Sequence, residues 1–135
     1  MNDDAHRLIE AAIAVSRRAY APYSGFHVGA ALLTESGDIV VGCNVENASY
    51  GLTICAERNA IFNAVARGLG PITAVAIVAD GTDMPFPCGA CRQVLSEFLG
   101  PEAPVYIASI SRPDDIRSLT LGELLPHAFS FKDRG

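Results

Sequence analysis

Apolar residues recur at helical spacing through residues 4–19, "DAHRLIEAAIAVSRRA", with acids first and two arginines last. That pattern predicts a helix whose charge order suits its dipole. "YAPYSGF" (20–26) holds Pro and Gly and reads as a loop. Residues 27–34, "HVGAALLT", and 38–43, "DIVVGC", read as two strands joined by the turn "ESG". A polar loop over 44–54 carries Asn44, Glu46, Asn47 and Tyr50, and a second helix is expected over 55–67, stopped by Gly68. "ITAVAIVAD" (72–80) is rich in β-branched residues and reads as a strand buried on both faces. A proline-containing loop leads to "PCGACRQVLSEFL", a third helix starting near Gly89. "APVYIAS" (103–109) is a fourth strand, "IRSLTL" (116–121) a candidate fifth, and "GELLP" a short final helix.

The order α-ββ-α-β-α-β-(β)-α implies an α/β fold: a sheet covered by helices, with a hairpin at its start. Sites in such sheets gather where strand ends meet helix starts. Cys55 and Cys88 both fall at junctions of that kind, so the fold can bring them together across a long stretch of chain.

Composition narrows the partners. At 135 residues, half hydrophobic and 19% charged, the chain is expected to form one domain, 1–135, with a packed core. No apolar run approaches the roughly 20 residues that span a bilayer, and "MNDDAHRLIE" lacks the pattern of a secretory leader. A cytoplasmic protein with no membrane partner is therefore expected. The net charge is −5 and no Lys/Arg stripe appears, which favours small-molecule partners over a nucleic-acid polymer. In a reducing compartment the four cysteines are expected to bind metal or do chemistry rather than form disulfides.

Cys88-x-x-Cys91 alone has three readings: half a zinc site, a redox dithiol, or a loop with two packed cysteines. Cys55, at another helix start, shifts the balance towards zinc, because three protein ligands leave one tetrahedral position open as catalytic sites do. Sulfur ligands disfavour magnesium and calcium. Cys43, at a strand end, is read as a small packed hydrophobe, and His6, His27 and His127 lack ligand spacing. Glu57, two residues from Cys55, is either an ordinary acid of a first helical turn or a proton carrier aimed at the open position. Three thiolates on Zn²⁺ leave a surplus negative charge. Two helix N-termini would offset it, and Arg58 and Arg92 are candidates to hydrogen-bond the thiolates, a solvated helix face being the alternative for each.

With these residues in hand, "CAE" followed by "PCGAC" resembles the zinc-dependent nucleobase deaminases in their three-cysteine form. More narrowly, "YSGFHVGAAL", "GCNVENASYG", "TICAERNAI" and "PCGACRQVL" are similar, in that order, to segments of the small cytidine deaminases. The resemblance spans nearly the whole chain. It implies a three-layer α/β/α sandwich around a mixed, roughly five-stranded sheet, and one Zn²⁺ per subunit held by Cys55, Cys88 and Cys91. It implies Glu57 as proton shuttle, Asn44 and Glu46 on the ribose hydroxyls, Phe26 near the base, and the Ala56 N–H on the pyrimidine carbonyl. Tyr50 and Phe129 match residues lent to a neighbouring subunit in a homotetramer with shared active sites, and Arg58 and Arg92 match arginines that support the cysteines. Two positions depart from the pattern: Phe86 stands where a small polar residue is common, and His27 where proline is common.

The implied reaction is hydrolytic deamination of cytidine and 2′-deoxycytidine to the uridine nucleosides and ammonia, a step of pyrimidine salvage. The alternatives are a deaminase of free cytosine or of a nucleoside antibiotic, a polynucleotide-editing deaminase, and a structural zinc or thiol-redox module. The sugar-matching "NVEN" speaks for a sugar-bearing substrate and so against free cytosine, and the acidic balance disfavours the polynucleotide-editing reading.

Overall fold

The structure is a computed structural model describing residues 3–81 and 84–128. Its elements are α1 (Asp3–Ser16), β1 (Val28–Thr34), β2 (Ile39–Cys43), α2 (Ala56–Ala66), β3 (Ile72–Ala79), α3 (Gly89–Phe98), β4 (Pro104–Ser109), β5 (Arg112–Thr120) and α4 (Leu121–Leu124). One 3-10 turn, Tyr50–Leu52, interrupts the loop before α2. The strands form a five-stranded sheet in the order β2-β1-β3-β4-β5. Only β3 and β4 run parallel; the other neighbouring pairs are antiparallel, so the sheet is mixed, as expected.

Strand alternation sorts the core into two halves. Ala30, Leu32, Val75, Ile77, Val105 and Ile107 face one side, where they pack with α2, Leu95 and Leu99 at the end of α3, and Leu121 and Leu124 of α4. Ala31, Ala74, Ala76, Val78, Tyr106 and Ala108 face the other, under Ala5, Leu8, Ile9 and Ala12 of α1. The result is three layers, with β3 buried on both faces as its β-branched run implied. The small residues on the α1 side allow that helix to lie close to the sheet.

Two boundaries differ from the sequence expectation. The first helix ends at Ser16, not at 19. The Ser16 hydroxyl bonds back to the Ile13 carbonyl, and the Arg18 and Ala19 amides close tight turns on Val15 and Ser16, so both arginines fall beyond the helix end. The fifth strand begins at Arg112, four residues before the predicted start, and stops at Thr120, where a capping box of Thr120 with Glu123 opens α4. Its first half, "RPDDI", carries no hydrophobic alternation because it is an exposed edge. Proline and charge are common on such edges and discourage further pairing.

Close packing at Gly42 sets where α2 begins. A Cβ there would meet the Ala60 amide nitrogen and sit 2.8 Å from the Ala56 carbonyl oxygen. The helix backbone thus rests directly on β2. Asn59 and Asn63 fasten it further, their side-chain amides donating to the Cys43 carbonyl at 2.8 Å and the Val41 carbonyl at 3.1 Å. Gly42→Ala is therefore expected to lower unfolding free energy by about 1–3 kcal/mol through overpacking, read as a lower midpoint in urea at unchanged m-value.

Candidate active site

Cys55 and Cys88 occupy equivalent places: each is the N-cap residue of its helix, with extended backbone (φ −71°, ψ 157° and φ −67°, ψ 168°). Such a residue can turn its side chain towards the free amides of the first turn. At α3 the Cys91 N–H points to the Cys88 sulfur at 3.5 Å. The Cys88 and Cys91 sulfurs are 3.3 Å apart, and Cys55 lies 4.0 Å from Cys88. All three sulfurs fall within 4.8 Å of one another, and among the described residues no other His, Cys, Asp or Glu joins the group. Cys43 stays outside it, half-buried, so its thiol is not sealed in the core as expected.

The cluster fits zinc by its own chemistry. Four-coordinate Zn–S bonds of about 2.3 Å place sulfurs about 3.8 Å apart, close to the observed spacings. Sulfur donors suit that ion. Burial runs from Cys91, fully enclosed, through Cys55 to Cys88, which is exposed, so the centre is open on one side.

The thiols differ in acidity. The Cys55 pKa is pulled down to about 5, first by the hydrogen bond from the Cys91 thiol and then by Arg58, against the opposing effect of burial. The Cys91 pKa is pushed up by holding that same bond, by burial, and by the negative charge of Glu57. Adjacent thiols cannot all ionise freely; one thiolate forms easily and its neighbour holds its proton. A bound dication would reverse that resistance.

Glu57 sits in the first turn of α2 and is only 4% exposed. Burial raises its pKa, while its own backbone N–H and the Cys91 thiol donate to it and lower it. The ordinary role of a first-turn acid is a solvated one, and this carboxyl is enclosed beside the thiols instead. Arg58, the next residue, donates from Nη2 to the Cys55 sulfur at 3.5 Å. Arg92 does something else: its Nε donates to the Pro87 carbonyl at 2.7 Å and its Nη1 to the Leu124 carbonyl at 2.8 Å. It braces the residue before Cys88 against the end of α4, where a bond to a thiolate was expected.

Of the remaining candidates, Glu46 and Tyr50 line a cleft, and Ala56, Asn44 and Phe26 lie outside its lining. Ala56 is the first residue of α2, where a helical N–H has no partner within its own helix. Asn44 is 8% exposed. Its Oδ1 accepts from the Val28 N–H at 2.9 Å and its Nδ2 donates to the Phe26 carbonyl at 2.8 Å. Glu46 is exposed, and its Oε1 accepts the Tyr23 and Ser24 amides at 3.0 and 3.1 Å while Oε2 accepts the Ser24 hydroxyl. The Ser24 hydroxyl is the main cause of its lowered pKa. A cleft of about 340 Å³ opens here, lined by Tyr23, Ser24, Glu46, Asn47, Tyr50 and Thr53. Phe26 and Phe86 are exposed aromatics outside that lining, and Tyr50 is 84% exposed. Phe129 lies outside the described residues.

Sequence reasoning missed Ser24, Tyr23 and Thr53. Ser24 stands 22 residues from the carboxylate it holds, so no local spacing announces the contact.

A five-stranded mixed sheet in three layers, with two N-cap cysteines and a third one turn on, defines a zinc-binding nucleobase-deaminase fold. The chain matches the family model for the cytidine and deoxycytidylate deaminase zinc-binding region over residues 2–107. It belongs to that family. It is 48% identical over 130 residues to a cytidine deaminase of Halalkalibacterium halodurans, covering 96% of this chain and 97% of that protein. The crystal structure of cytidine deaminase from Burkholderia pseudomallei is similar with a TM-score of 0.87 at 50% identity, covering 96% of this chain and all (100%) of that one. That of Mycobacterium tuberculosis gives 0.82 at 42% identity, covering 96% and 99%.

Arg58→Ala should weaken zinc binding about 10–100-fold, because the thiolate it supports loses its charged donor. Arg92→Ala should act mainly on folding, since its partners are carbonyls. Competition with a chromogenic chelator measures the first effect and thermal melting the second.

Proposed function

We propose that the chain is a zinc-dependent cytidine deaminase, converting cytidine and 2′-deoxycytidine with water to uridine and 2′-deoxyuridine plus ammonia. The observation that carries this reading is the buried Glu57 carboxyl beside three clustered thiols at the starts of α2 and α3. The family membership and the names of the relatives support it.

Cys55, Cys88 and Cys91 would hold one Zn²⁺ per subunit. Bound there, the ion supplies the Lewis acidity that makes water a nucleophile near neutral pH. The thiolates need compensating charge, which the N-termini of α2 and α3 and the Arg58 guanidinium provide. Glu57 takes a proton from the attacking water and delivers it to N3 of the cytosine ring, which makes C4 more electrophilic. It then takes the proton of the new C4 hydroxyl and hands it to the departing amino group, so that the C4–N bond breaks, ammonia leaves and a carbonyl remains at C4. A carboxyl whose pKa is raised by enclosure is better matched to both halves of that transfer than a solvated one. The Ala56 N–H donates to the pyrimidine carbonyl.

Asn44 and Glu46 bind the sugar, and their distance from C4 lets sugar binding orient the ring. The Glu46 carboxylate is held in place by three donors and keeps lone-pair capacity for a sugar hydroxyl. Asn44 likewise spends one amide hydrogen on Phe26 and keeps the other. Phe26 packs near the base.

We further propose one catalytic domain per chain, assembled as a homotetramer in which Tyr50 and Phe129 reach a neighbouring subunit's site. An open cleft, a nearly naked Tyr50, and exposed Leu52, Phe62 and Val65 support an assembly that covers them. Among the described residues no helix is long and apolar enough to cross a membrane. Dependence on free thiolates supports a reducing, cytoplasmic setting and a role in pyrimidine salvage.

Ammonia release should be detected with cytidine and deoxycytidine and not with adenosine. Inactivity on both cytidine nucleosides would sink the reading. Glu57→Gln should keep its zinc and lose at least about 10²–10⁴-fold in kcat. Normal turnover by the zinc-loaded variant would instead favour a structural zinc module. Sedimentation velocity should give a tetramer, and a monomer that is fully active would remove the shared-site proposal.

A further inference from the structure

Asn44 is set by its neighbours before any substrate arrives. Its side-chain amide is gripped by the Phe26 carbonyl on one side and the Val28 N–H on the other, so its aim depends on where residues 26–28 lie. Residue 27 is the middle of that grip. The His27 N–H donates to Asp80 Oδ2 at 3.0 Å, its ring Nδ1 lies 2.8 Å from the same oxygen, and the Asp80 N–H donates to the His27 carbonyl at 3.0 Å. The segment is therefore stapled twice, to Asn44 and to Asp80.

Asp80 is itself a fixed post. It follows the last residue of β3, and the next carbonyl, that of Gly81, accepts the hydroxyls of Ser109, which is buried, and Ser111. Beyond Gly81 the chain runs to Phe86 and Cys88. One carboxylate thus ties the segment that sets Asn44 to the start of the loop that delivers a zinc-site cysteine. The His27 ring lies on the α1 side of the sheet, in a shallow cleft of about 300 Å³ with Ile13, Ser16, Arg17, Asp80 and Ile110. The thiols belong to the opposite face, so His27 does not touch the reacting atoms.

We propose that the His27–Asp80 pair is a positioning device for sugar recognition: it holds residues 26–28 so that the Asn44 amide is presented to the nucleoside. The inference rests on the deaminase reading above. Both side chains are about 40% exposed (40% and 42%), and an exposed pair of this kind contributes little to global stability. Its effect belongs in substrate binding.

The test uses the full-length, zinc-loaded protein with cytidine as substrate. His27→Ala should raise KM about 3–10-fold with kcat within about twofold, the pattern of lost uniform binding. Zinc content should be unchanged, and the melting temperature should move by no more than about 2 °C. His27→Asn, whose Nδ2–H can take the place of the ring Nδ1–H, should restore KM. Asp80→Ala, which also frees the His27 N–H, should show at least that KM defect, and the double variant should be no worse than Asp80→Ala, because the His27 ring acts only through that carboxylate. An unmoved KM in His27→Ala, an equal fall in kcat, failure of His27→Asn to restore binding, additive defects in the double variant, or loss of cooperative unfolding would each overturn the proposal. A wild-type chain inactive on both nucleosides would fail the deaminase reading. An active wild type with an unmoved KM in His27→Ala would fail this inference alone.

Discussion

Three sulfurs within 4.8 Å are an unstable thing for a protein to build. Ionised, they repel; protonated, they bind no metal. The framework resolves this by fixing the positions first and the charges second. Cys55 and Cys88 are placed by the starts of two helices, and each helix is fastened independently of the sulfurs. α2 rests on β2 through Gly42, Asn59 and Asn63, while the Pro87 end of α3 is tied to α4 by Arg92. Arg58 then favours ionisation of Cys55, and the remaining protons are left for a cation to displace. The cleft lined by Glu46, Asn47, Tyr50 and Thr53 takes its place from the same loop that ends in Cys55.

Much of this was legible in the sequence, for reasons that differ between parts. β3 announced itself because a strand buried on both faces needs an unbroken apolar run. The chemical core was legible because short motifs fix it: Cys88 and Cys91 are one helical turn apart, and Glu57 and Arg58 follow Cys55 directly. The β5 start was not legible, because an exposed edge imposes no alternation on its residues. The partners of Arg92 were not legible for another reason. The sequence left open a thiolate partner or a solvated face, and the side chain instead reaches the Pro87 and Leu124 carbonyls, the latter 32 residues away.

The polar end of the site illustrates a limit of motif reading. "NVEN" names two residues as sugar ligands and says nothing of what holds them. In the fold, Asn44 is nearly buried and serves as a link between its own loop and residues 26–28, while Glu46 gathers the "YS" of the preceding loop around its carboxylate. Both side chains thus carry structural contacts that the motif does not announce. These contacts bridge 16 to 23 residues of sequence, so only the folded chain displays them.

Glu57 carries the strongest physical argument for function. A carboxyl at this depth costs folding energy, since burial opposes its charge, and negative charge on Cys55 opposes it further. A helix start is satisfied equally well by a solvated Asp or Glu, and nothing in the packing of α2 requires an acid at an enclosed position. Its partners, its own amide and the Cys91 thiol, offset only part of the penalty. A group kept where it destabilises the fold is best explained by work done there. The work available to a protonatable oxygen beside a thiol cluster open on one side is to move a proton between water and a molecule bound at that open side.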